Sequence, residues 1–155
     1  MATMRRFEEL GCWQKSRILV KEVYGALRTC TDHGFKDQIQ RASVSVLSNI
    51  AEGFESGTKQ EFLNYLYIAK GSAGEVRAQL YAAYDIGYLN LETFKRLKDL
   101  AEECSKLIAT FTKGLKQSSV TGHQYKYEKP KDQLEELTKQ ASPELYERFY
   151  GNKKP

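Results

Sequence analysis

The chain has 155 residues, 41% hydrophobic and 28% charged, with a formal net charge of +4. That is an ordinary soluble composition, long enough for one domain with a real core. The mild positive charge permits nucleic-acid contact without requiring it, and no apolar run is long enough to span a membrane.

The first ten residues carry Arg5 and Arg6 with no apolar stretch behind them, so they do not read as a secretory signal. Cys12, Cys30 and Cys104 are odd in number and widely spaced. They point to a reducing, cytoplasmic compartment without a disulfide framework. Pro occurs only 3 times, which allows long unbroken helices.

The first helical segment runs from about Cys12 to Arg28, with Trp13, Val20, Val23, Tyr24 and Leu27 on its apolar side. It gives way at the turn-rich Thr31-Asp32-His33-Gly34. The second runs from about Phe35 to Glu52, with Phe35, Ile39, Ala42, Val46, Ile50 and Gly53 in one stripe and Gly53 also as its stop. Asn49 sits beside that stripe, where packing alone does not favour a polar residue.

Thr58 and Glu61 form a capping box for the third helix. Its seam is Phe62, Leu66, Ala69, Ala73, Val76, Leu80, Ala83 and Gly87, at heptad spacing. Asn90 caps the fourth, whose seam is Phe94, Leu97, Ala101, Cys104, Ile108, Phe111 and Leu115. Beyond Lys116 the pattern breaks into a polar linker, Gln117 to Lys131. A short helix start follows at Ser142-Pro143-Glu144. No segment alternates with period 2. The expectation is an all-α fold: an antiparallel up-down four-helix bundle over 1–116, with a C-terminal linker and a short helical or partly disordered tail over 117–155.

The third helix is apolar on too many sides. Between Phe62 and Tyr88 the only formal charges are Lys70, Glu75, Arg77 and Asp85. Leu63, Tyr67, Gly71, Gly74, Ala78, Tyr81 and Ala82 stand where a lone bundle helix shows a polar face. Either the tail covers this face, or it is the contact surface of a homo-oligomer.

No HExxH, GxSxG or Walker-type loop is present; His33 has only Asp37 one turn on and His123 has no ligand at helical spacing, too few to hold a metal. The reading is therefore non-enzymatic, with no cofactor and no metal. Two polar surfaces remain. On the second helix, Gln38, Arg41, Ser45, Ser48 and Glu52 share an arc of roughly 80°, with Asn49 at its border. That arc is either solvated surface or a semi-buried hydrogen-bond network against the first helix or a neighbouring subunit. On the fourth helix, Lys95, Lys98, Lys106, Lys113 and Lys116 fall within roughly 80° of arc. This stripe is either a track for phosphates or a solubilising face. Arg5 and Arg6 form a second basic cluster.

The segments Phe7-Glu8-Glu9-Leu10, Trp13-Gln14-Lys15, Gln38-Ile39-Gln40-Arg41-Ala42-Ser43-Val44-Ser45 and Ser48-Asn49-Ile50-Ala51-Glu52-Gly53 together resemble the bacterial four-helix-bundle proteins of the 23S ribosomal RNA intervening-sequence family. Glu61-Phe62 and Ile68-Ala69-Lys70-Gly71-Ser72 with Glu75 continue the pattern, so the resemblance covers about residues 7–116. Leu47 stands where the family often has Pro, which implies a straighter second helix here. The resemblance implies a ring-like homopentamer associated with inserted segments of ribosomal RNA genes. Accessory proteins of diversity-generating retroelements are similar in fold, and they work with a reverse transcriptase and nucleic acid. Two functions follow as expectations. One is a non-enzymatic oligomer that binds RNA or DNA, contacting structured RNA or an RNA-handling partner. The other is an interaction scaffold or accessory subunit without direct base recognition.

Overall fold

The computed structural model describes residues 4–118 and 139. Of the linker and tail expected over 117–155, Gln117 is instead the last residue of the fourth helix and Ser118 its C-cap, and the rest lie outside the described residues, Lys139 apart. Within the described residues the chain is all-α. A short 3₁₀ turn, Phe7–Glu9, leads into α1 (Gly11–Ala26), α2 (His33–Glu55), α3 (Lys59–Ile86) and α4 (Leu91–Gln117).

Each of the three later helices opens on a side-chain cap. Asp32 accepts from the Phe35 amide at 3.0 Å, and Asn90 from the Thr93 amide at 2.8 Å. Thr58 accepts from the Glu61 amide at 3.2 Å. Such caps satisfy amides that the first helical turn leaves without partners. The expected capping box is only half made. The Glu61 carboxylate accepts a hydrogen bond from the Thr58 hydroxyl at 2.7 Å, while the Thr58 amide donates to the Ser56 carbonyl at 2.8 Å. Gly87, at φ 88°, ends α3 in the left-handed conformation, and the Tyr88 amide donates back to the Ala83 carbonyl at 2.8 Å.

α1 packs on α2 and α4, and α3 packs on the same two helices. The interior divides into two layers. One joins Leu19, Val23 and Leu27 of α1 and its end to Ile39, Val76, Leu80 and Leu97. The other joins Leu10 and Cys12 to Val46, Ile50, Phe62, Leu66 and Ile108. Complete burial of a side chain of this size is worth about 1.5–3 kcal/mol. Edge-to-face rings extend the second layer, with Phe7 on Trp13 at 5.1 Å and Phe54 on Phe62 at 5.9 Å.

Two local expectations change. The buried seam of α1 is Cys12, Ser16, Leu19 and Val23, whereas Tyr24 is 44% exposed. Tyr24 lies one position, or about 100°, beyond Val23, enough to carry it out of the seam. The second helix does not stop at Gly53. It continues unbroken through Leu47 and Gly53 to Glu55. Gly53 serves packing instead. A Cβ there would lie 2.6 Å from Tyr65 Cβ and 2.8 Å from Phe62 Cδ2, so its missing side chain lets α2 approach α3.

Candidate nucleic-acid interface

Several charges of α4 are paired, and Glu102 stands inside the lysine arc rather than at its flank. Toward α1, Glu103 meets Lys15 at 2.9 Å, and Arg96 pairs with Glu22. Toward α3, Glu102 lies 3.9 Å from Arg77 and 3.7 Å from Lys98, which also meets Asp99 at 3.1 Å. The Asp99 hydrogen bond, with the nearby carboxylates of Asp99 and Glu102, holds the Lys98 ammonium above its ordinary range. Lys98 is therefore engaged by carboxylates, although the helical wheel puts it in the lysine stripe. Lys95, Lys106 and Lys113 are exposed and belong to no ion pair among the described residues. Lys116 is exposed and rests over the Tyr67 ring at 5.2 Å. At 1.5 Å per residue, Lys95, Lys106 and Lys113 recur at roughly 16 and 10 Å along the axis.

Of the N-terminal pair, Arg6 is bound to Glu8 at 2.7 Å, a contact that raises the guanidinium's affinity for its proton and lowers the carboxyl's. Arg5 is exposed, and its backbone amide donates to Glu9 at 3.1 Å.

The polar arc of α2 splits in two. Gln38, Arg41 and Glu52 are exposed, and Arg41 reaches only Asp37, at 3.8 Å. Ser45, Ser48 and Asn49 are half-buried. The Asn49 side-chain amide donates to the Ser45 carbonyl at 2.7 Å and to its hydroxyl at 3.0 Å. The Ser45 hydroxyl then meets the hydroxyl of Ser72 across the helix interface at 2.9 Å. The network therefore joins α2 to α3, not to α1, and Arg41 takes no part. Ser72 is the member that sequence reasoning missed. Its signal was a small hydroxyl one position from the seam residue Ala73. Ser45, Asn49 and Gly53 recur every four residues on one side of α2, and together they fix how closely α3 can lie.

On α3, Tyr67, Gly71, Ala78 and Tyr81 are exposed, and Gly74 and Ala82 are half-exposed. Leu63 does not join them, being only 8% exposed. Ile68 at 52% and Ile86 at 58% extend the apolar surface. Tyr81 packs edge-on against Phe94 at 5.0 Å, and Tyr84 stacks on the same ring at 4.8 Å, which anchors that end of the face.

Among the described residues, no cluster of His, Cys, Asp and Glu could hold a metal ion, and no helix is long and apolar enough to cross a membrane. His123 lies outside the described residues. Burial pushes the Cys12 thiol up to about 11 and the Cys104 thiol up to about 12. Neither forms thiolate readily at neutral pH.

Four long helices, a packed α2–α3 seam and exposed basic and apolar faces define an all-α protein that offers surfaces for contact. The model of the 23S rRNA-intervening sequence protein family matches residues 8–110, and the chain belongs to that family. It also resembles a crystal structure of a protein of unknown function from the S23 ribosomal protein family, from Bacteroides thetaiotaomicron VPI-5482. The TM-score is 0.62 at 24% identity, over 66% of this chain and 98% of the other. At that identity the likeness shows the fold. No functionally curated protein matches the chain.

Proposed function

We propose that this protein is a non-enzymatic, homo-oligomeric nucleic-acid-binding protein of the cytoplasm. In this reading each subunit is an antiparallel up-down four-helix bundle, and the outer face of α4 contacts the phosphates of structured RNA. The observation that carries it is the set of exposed lysines Lys95, Lys106 and Lys113 on one side of α4, which form no ion pair among the described residues. Nearby cations are bound to carboxylates, as Lys15, Lys98 and Arg96 are. Lysines kept out of ion pairs on a 27-residue helix suit a polyanion, whose phosphates attract ammonium groups without regard to sequence. The family description is consistent with an RNA context.

The oligomer in this proposal is built on α3, with a second copy covering Tyr67, Gly71, Gly74, Ala78 and Ala82, and a pentamer as the assembly. Small residues permit close helix approach, and exposed tyrosines suit an interface with one wet edge. The same face supports a second reading, an accessory scaffold for a nucleic-acid-handling enzyme such as a reverse transcriptase. The two are separated by RNA binding of the full chain. Changing Lys95, Lys106 and Lys113 to Glu abolishes or sharply weakens binding under the first reading. Under the second, RNA is not bound even at low salt.

A further inference from the structure

Where the end of α1 meets the α3–α4 turn, the surface opens into a shallow, solvent-open and largely polar cleft of about 400 Å³. Its lining includes Lys21, Glu22, Arg28, Tyr88, Asn90 and Arg96. Three cations thus face one carboxylate. That carboxylate, Glu22, is already bound to Arg96. Lys21 and Arg28 are exposed and form no ion pair among the described residues, so they carry the uncompensated charge of the wall.

The aromatic part of the cleft is held in place beforehand. The Tyr88 hydroxyl donates to Asp32 Oδ2 at 2.8 Å, and Phe35 packs edge-on against the Tyr88 ring at 5.4 Å. A ring held by two contacts from the start of α2 offers a stacking surface at reduced entropic cost on binding. Stacking on such a ring is tolerant of base identity. Asn90 commits its side-chain oxygen to the Thr93 amide, which leaves its NH₂ group as a donor at the rim. The first turn of α4 and the last turn of α1 both border the cleft, so their helix dipoles oppose one another and the site's affinity for an anion rests on the cationic side chains.

We propose that this cleft binds one nucleotide unit, with its phosphate on Lys21 and Arg28 and its base against Tyr88. The unit comes either as a free mononucleotide or as the 5′-terminal residue of an RNA strand. The site does not depend on the α4 lysines.

The test is titration of the ¹⁵N-labelled full chain with AMP, with inorganic phosphate, and with a short RNA carrying either a 5′-phosphate or a 5′-hydroxyl. AMP should give saturable shifts at Gly25, Tyr88 and Asn90. Inorganic phosphate should bind at least about fivefold more weakly, because it cannot stack. The pair of changes Lys21→Glu and Arg28→Glu should weaken AMP by at least about tenfold. Both side chains are exposed, so the fold is retained. Tyr88→Leu should reduce AMP binding to the level of phosphate. Preference for the 5′-phosphorylated RNA assigns the site to strand ends, and equal binding of the two RNAs beside saturable AMP assigns it to free nucleotides. The proposal is overturned if AMP produces no saturable shift at millimolar concentration and the RNAs bind alike. It is also overturned if AMP binding survives the Lys21 and Arg28 changes, or is lost on changing Lys106 and Lys113 to Glu.

Discussion

Replacing Gly53 with Ala should destabilise the fold, against the usual benefit of that substitution in a helix. The new Cβ would stand 2.6 Å from Tyr65 Cβ, 2.8 Å from Phe62 Cδ2 and 3.3 Å from the Phe62 carbonyl oxygen. Carbon atoms pack at about 3.5–4.0 Å. The seam must therefore open by roughly 1 Å, since Tyr65 Cβ is tied to its backbone and cannot rotate away. Overpacking of this kind costs about 1–3 kcal/mol. Removing a helical glycine returns up to about 1 kcal/mol. The net expectation is a loss of about 1–2 kcal/mol, read as a lower urea midpoint with unchanged slope. Gly25 in α1 provides the control, because nothing lies within 4 Å of a Cβ built there. Gly25→Ala should leave stability unchanged or raise it by up to about 1 kcal/mol. A Gly53→Ala protein as stable as its parent would refute the close-approach account of this seam.

Three further outcomes are expected. The Ser45–Ser72 hydroxyl contact should show a coupling of about 0.5–1 kcal/mol in a double-alanine cycle, and additive effects would remove it as a link between α2 and α3. Ala78→Glu and Ala82→Glu should each lower the molar mass measured by light scattering, because a carboxylate placed in a small-residue contact is not readily solvated; unchanged assembly by both would move the interface elsewhere. Cys12 and Cys104 should resist alkylation in the folded protein at pH 8, since burial raises them to about 11 and about 12 from 9.0. The linked stability is fully present below pH 9, where both states keep the protons, and is lost as pH rises toward those raised values because the unfolded chain ionises first. Rapid labelling of both thiols at pH 8 would contradict this.

The seams of α3 and α4 were legible because their apolar residues recur at heptad spacing and few other residues compete for the interior, although Gly87, which the spacing also put in the α3 seam, is the exposed C-cap. Asn49 was legible as an anomaly, but its network was not. Ser72, the cross-helix member, is 27 positions away from Ser45, and sequence spacing carries no information about which helix faces which. Gly53 resembled a helix stop because glycine commonly ends helices. Its real constraint is the proximity of Tyr65 and Phe62, visible only once α3 is folded back. The wheel put Lys98 with the other stripe lysines, yet it is also one turn from Glu102 and beside Asp99, and those carboxylates engage it. The cleft at Tyr88 was missed altogether. Its residues come from α1, the α3–α4 turn and α4, and none of them forms a local motif.

The most direct test of the central claim is RNA binding by the full chain, measured by filter retention over a salt series. The account predicts binding that weakens steeply with salt. It further predicts that changing Lys95, Lys106 and Lys113 to Glu weakens binding and flattens the log–log slope by about one unit per lost contact. Absence of binding at low salt, or a slope and affinity untouched by the three reversals, would contradict it.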